Sequence, residues 1–326
     1  QRPEVLARWI KACGDLDGLV ARGRQWAEQI PPRVRLWGRR GFMLLVLAVV
    51  GTVLVRQLRN LDWPVVLRSL PTSPWFYLAF LARYLLLPVT EVLCYSAVWG
   101  RNLFGHFGAF LIKRLMNASV ASASGDAYFL GWSAKTLGMG YRRAFSGIKD
   151  VTLLSAAAAN GVAVVVLGAY LLLGDWRVFE GVEPRVVALI VGVTLGAALV
   201  SVVVIVFRGK VLAVETQTMW RVVAYHTVRS AGALVLLGLQ WSAAMPEVGF
   251  ATWANLLIVA LLVARTPLLP APELLFLTIA LALVGTIDAP QARLEAMFLA
   301  DAALVQLFAI PSLMLGLLWR RKEVAA

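Results

Sequence analysis

The chain of 326 residues is 60% apolar and only 15% charged, where a soluble domain carries about a quarter charged residues. That excludes the two soluble domains its length would allow, because the apolar runs recur at the length a bilayer core demands, about 20 residues per helix. The net charge of +13 invites nucleic acid as a partner, but no stacking platform or base-reading motif accompanies it, and the basic residues flank apolar runs, where membrane proteins place them.

The expected fold class is all-α: a polytopic helical membrane protein. Residues 1–40 precede the first apolar run. In residues 4–30, Val5, Leu6, Trp9, Ile10, Cys13, Leu16, Leu19 and Val20 fall near one face, with Arg8, Lys11, Asp15 and Arg22 elsewhere. This predicts a basic amphipathic helix lying in the interface or, equally, a soluble helix packed on the cytoplasmic side. Pro31-Pro32 ends it. Gln1 opens the chain, as in a fragment or a processed product, and the first apolar run begins near residue 42, too late for an ordinary signal peptide.

Residues 41–326 read as the transmembrane domain, with spans expected at 42–58, 76–98, 151–173, 186–207, 222–245 and 296–318. Two apolar stretches are interrupted. The centre of 109–139 is a run of Ser, Ala, Gly and Asp; that of 250–285 is RTPLLPAPE, with three prolines. Neither suits a straight helix facing lipid, since irregular backbone at membrane depth must be buried in protein or line a water-filled cavity. Both are therefore expected to be re-entrant hairpins, each entering and leaving on one side.

The charges favour this plan over one with full spans. It places Arg101, Arg142, Arg143, Lys149, Arg208, Lys210, Arg221, Arg320, Arg321 and Lys322 inside, with both termini cytoplasmic, and Glu247 outside. Making both stretches full spans moves two basic loops outside, against the positive-inside rule. Each half then reads span, span, hairpin, span, which predicts inverted pseudo-repeats at about 41–174 and 185–319. In such a plan the substrate site lies between the broken elements near the midplane.

Ionisable residues inside apolar segments are costly and are functional candidates by default. They are Arg83, Glu91, Lys113, Arg114, Asp126, Lys135, His226, Arg229, Arg265, Glu273 and Asp301, with Asn117, Ser122, Ser124, Asn160, Gln240 and Gln306 as polar company. The expected cavity lining is Glu91, Arg114, Asn117, Asp126, Arg265, Glu273 and Asp301. Asp126 and Glu273, beside the hairpin centres, serve equally well as caps of their half-helices. Glu91 and Asp301 need a cation or a proton, and Arg83, Arg229 and Arg265 are the obvious structural partners. Lys113 is expected to snorkel toward the cytoplasmic face.

Enzyme signatures are thin. No catalytic residue, metal site or cofactor is assigned: Cys13 and Cys94 exclude a disulfide framework or thiolate cluster, and His106 and His226 lack ligand spacing. Walker, dinucleotide and GxSxG motifs are missing.

The chain resembles the transmembrane family named for lysylphosphatidylglycerol synthase, which has stand-alone members without the synthase domain. The resemblance runs through LDWPVVLRSL, YLLLPVTEVLCYSAVWG (with Glu91 on an acidic position of the family) and NASVASASGDAYFLGWSAKTLG. It continues into LLPAPELLFLTIALALVG and ALVQLFAIPSLMLGLLWRR, and so covers most of the chain after residue 40. Two departures stand out: the family's glycine-rich proline loop is LLPAPE here, and its last-span arginine gives way to ADAAL, with Asp301. The resemblance implies a flippase-like transporter of a phospholipid or glycolipid in a bacterial inner membrane. A membrane-embedded transferase or glycolipid-processing enzyme, or a non-transporting accessory subunit, are the alternatives, with homo-oligomerisation open.

Overall fold

The computed structural model describes residues 70–119, 124–173, 184–263 and 291–325, together with residues 64 and 68. The leader, the 42–58 span and the centre of the second interrupted stretch, with Arg265 and Glu273, lie outside the described residues. Among the described residues every regular element is a helix: α1 (Pro74–Trp99), a 3₁₀ turn (Phe104–His106), α2 (Phe107–Ser119), α3 (Ser124–Thr136), α4 (Tyr141–Leu173), α5 (Pro184–Val206), α6 (Arg208–Val211), α7 (Thr216–Ala244), α8 (Phe250–Val263) and α9 (Gln291–Ala325).

Four of them, α1, α4, α7 and α9, contain stretches long and apolar enough to cross a membrane. The surface agrees with that. Trp220, Val228, Val235 and Leu239 are exposed along one stripe of α7, and Leu195, Leu199, Val203 and Val206 along α5. In water such continuous apolar faces would be aggregation sites or interfaces; in lipid they are the solvated side. The chain is a helical membrane protein.

Local signals explain the helix ends. Pro74 stands at the start of α1, where its missing N–H costs nothing, and the Tyr77 hydroxyl donates to the Pro71 carbonyl at 2.8 Å. Gly100 closes α1 in the left-handed region (φ 66°), its N–H turning back to Ser96 O. Helix α4 begins at Tyr141, ten residues before the expected span. The basic residues Arg142, Arg143 and Lys149 are helical rather than loop, and Gly138 at φ 63° supplies the break before them.

The described residues fall into two compact units. The larger comprises the described parts of 59–105 and 150–310. In it α7 runs antiparallel to α1, bringing Phe76 beside Trp241 and Met245 at one end and Gly232 beside Leu86 further along. The first part of α9 runs parallel to α1, with Leu294, Met297 and Phe298 in the same cluster as Phe76, Trp253 and Leu256. Beside this cluster an exposed ion pair joins Arg293 to Glu247. The opposite end carries exposed Arg101, Arg208, Lys210 and Arg221.

Polar ties hold parts of this unit together where lipid offers no hydrophobic drive for association. The Asn160 amide on α4 donates to Ala197 O (3.2 Å) and Ser201 Oγ (3.0 Å) on α5. Asp150, at 0% exposure, accepts from the Ala213 and Val214 amides at 2.8 and 3.1 Å, just ahead of α7. Charge-assisted bonds to a buried carboxylate are strong and costly to leave unmade. Asp150→Ala is therefore expected to lower stability by about 3 kcal/mol and to speed hydrogen exchange at residues 213 and 214 selectively, read by mass spectrometry. Unchanged exchange there would show that the tie is dispensable.

The smaller unit comprises the described parts of 106–149 and 311–326. In it α2 and α3 fold back along one another: Phe110 meets Phe129 (ring centroids 4.9 Å), and Met116 and Asn117 meet Ser124 and Gly125. At 13 residues each, the arms are about 20 Å long, short of the roughly 30 Å hydrocarbon core. Gly316 on α9 packs on Ile112 and Gly108 of α2.

Candidate functional site

Among the described residues, two ion-paired constellations lie within otherwise apolar helices, one in each unit. In the larger unit, Arg83 of α1, Gln240 of α7 and Asp301 of α9 close a triangle. Arg83 Nη2 lies 2.6 Å from Asp301 Oδ1. Arg83 Nε donates to Gln240 Oε1 at 3.2 Å, and Gln240 Nε2 donates to Asp301 Oδ1 at 2.8 Å. The helix packing that builds the aromatic end cluster also sets this triangle: Arg83 lies seven residues beyond Phe76, about 10 Å along α1.

Gln240 is fully buried, while the Arg83 and Asp301 side chains keep 23% and 21% exposure. An aromatic wall stands alongside. The Arg83 guanidinium lies over the Phe80 ring at 5.6 Å, Phe308 packs on Phe80 and Tyr84 at 5.2 and 5.5 Å, and the Tyr84 hydroxyl donates to the Phe308 carbonyl. The triangle is therefore neutral as a group, flanked by aromatic rings and partly exposed.

The second constellation is internal to the α2–α3 hairpin. Lys113 Nζ lies 3.1 Å from Asp126 Oδ1 and 5.3 Å from the centre of the Phe129 ring. Phe129 stacks on Trp132, and His106 meets Trp132 edge-on. Asn117 Oδ1 accepts the Gly125 amide at 2.7 Å, and the Ser124 hydroxyl donates to Met116 O at 2.7 Å. This closes the hairpin at its turn end.

Lys113 does not snorkel as expected: at 3% exposure it is held inside by the opposite charge and the aromatic face. Asp126 lies within the first turn of α3, and the Gly125 amide is satisfied by Asn117 from the other arm. The carboxylate still suits the positive end of α3.

Of the expected cavity lining, Asp301 falls in the triangle, and Glu91 lies half-buried on α1 about two turns beyond Arg83. Arg114, Asn117 and Asp126 belong to the hairpin. Arg83 was legible as a partner for Asp301. Gln240 is the member that sequence reasoning places only as polar company, although a bulky amide in the apolar run AGALVLLGLQW signals an interhelical bond.

Among the described residues, no cluster of His, Cys, Asp and Glu is arranged to hold a metal ion. The chain matches no protein-family model, and comparison with curated proteins and with solved structures gives no match either.

Proposed function

We propose that the chain is an integral inner-membrane lipid transporter of flippase-like type, moving a polar lipid headgroup past the Arg83–Gln240–Asp301 triangle. The observation that carries the reading is a charged, hydrogen-bonded and partly exposed group within otherwise apolar helices. Charged residues at that depth are expensive and mark substrate or ion paths. An aromatic wall on one flank suits a molecule that is part headgroup, part chain. The resemblance to the lysylphosphatidylglycerol synthase transmembrane family points the same way.

In the proposed topology the end bearing Arg101, Arg208, Lys210 and Arg221 is cytoplasmic, and the end with Glu247 and Arg293 faces outward. The α2–α3 hairpin is the first of two re-entrant elements in an inverted-repeat plan, its arms too short to span. Glu91 and Arg114 remain candidates for the polar path.

The test is movement of an acyl-labelled phospholipid in proteoliposomes, followed by external quenching. The wild-type chain is expected to speed exchange over empty vesicles, and Asp301→Asn to slow it by roughly tenfold, the loss of one charge-assisted contact. No acceleration by the wild-type chain sinks the reading. A covalently altered lipid found by mass spectrometry would indicate a transferase instead.

A further inference from the structure

We infer that the triangle accepts a net-neutral, zwitterionic headgroup whose cation carries N–H groups, of the phosphoethanolamine type. The inference deepens the transport reading and rests on it only for the assumption that a headgroup reaches the triangle.

Arg83 has five N–H donors, and the structure uses its Nε toward Gln240 and Nη2 toward Asp301. Its Nη1 group has no partner among the described residues. Asp301 receives both its bonds, from Arg83 and from Gln240, on Oδ1 alone, so Oδ2 likewise has no partner among the described residues. One side chain thus offers spare donors and its neighbour a spare acceptor, and both are partly exposed. A phosphate oxygen meets the guanidinium edge, the kind of contact arginine makes best. A primary ammonium a few ångströms away donates to the carboxylate.

Charge balance narrows the choice. Arg83 and Asp301 cancel, and Gln240 adds nothing. A headgroup with net charge −1 would bring an uncompensated charge among apolar helices, which membrane interiors penalise heavily. A zwitterion adds none. A quaternary ammonium is also neutral overall with its phosphate, but it has no N–H for Asp301 Oδ2 and forgoes that bond. A neutral sugar headgroup could hydrogen-bond both sides but wastes the ionic match.

The experiment is native mass spectrometry of the full chain released from detergent carrying an equimolar mixture of phosphatidylethanolamine, phosphatidylcholine, phosphatidylglycerol and monoglucosyl diacylglycerol, matched in acyl chains. Phosphatidylethanolamine adducts should survive in excess over each competitor by on the order of tenfold, the ratio for one charge-assisted hydrogen bond. Asp301→Asn should erase that preference and Asp301→Glu should keep it. Equal retention of the lipids, or preference for the anionic or sugar lipid by the wild-type chain, overturns the inference without recourse to any variant. Translocation without headgroup preference overturns it while leaving transport intact. Preference without translocation supports it and removes the transport reading.

Discussion

Asp301→Leu is expected to cost about 3 kcal/mol of stability, measured as a shift in reversible unfolding in mixed micelles. The cost comes from what remains. Arg83 keeps its charge with the carboxylate gone, and Gln240, fully buried, loses the acceptor for its amide. Removing one member of a buried pair leaves an uncompensated charge, whereas replacing the whole group by apolar residues is often neutral or stabilising. The triple variant Arg83→Leu, Gln240→Leu, Asp301→Leu should therefore recover most of the loss, ending within about 1 kcal/mol of the wild type, while lipid movement stays abolished. A triple variant as unstable as the single one would mean the triangle holds α1, α7 and α9 together. A triple variant that still moves lipid would strip the triangle of its proposed role.

Gly125→Ala should damage the protein as much as the loss of Asp301, for a steric reason. An added Cβ would fall inside van der Waals distance of the Lys113 carbonyl oxygen and 2.7 Å from Asn117 Oδ1. The first obstacle is backbone of the facing helix and cannot swing aside, so the two arms must separate. Separation breaks the Asn117–Gly125 bond and loosens the Lys113–Asp126 pair. The expected cost is about 3 kcal/mol, with faster hydrogen exchange across residues 107–119 and 124–136. Gly232→Ala is the control. Its Cβ would meet only Leu86 Cδ2 at 3.5 Å, ordinary van der Waals contact, so the change should stay within about 1 kcal/mol of the wild type. Equal effects from the two substitutions would mean the α2–α3 contact is no tighter than the α1–α7 contact.

Helices occupy the places where apolar runs predict them at α1, α5 and α7, because an apolar run of that length leaves the backbone little alternative in lipid. The ends were less legible. Arg142, Arg143 and Lys149 read as a loop because charge ends a hydrophobic pattern, yet charge does not end a helix that leaves the hydrocarbon. The break in 109–139 was visible as a cluster of small and polar residues, and the paired arms α2 and α3 follow it. What the sequence could not supply was partnership. Asp301 had three candidate arginines, and the choice of Arg83, 218 positions away, is made by helices packing in three dimensions. Lys113 was misread for a similar reason: a lysine looks like a snorkelling residue until its carboxylate and aromatic neighbours from the next helix are in place.

The bond from Asn117 to Gly125 also makes the two arms depend on each other. Gly125 lies in the first described turn of α3, and its amide takes its acceptor from α2 rather than from its own helix. The arms therefore gain stability together, and the first turn of α3 is expected to fray whenever α2 moves away.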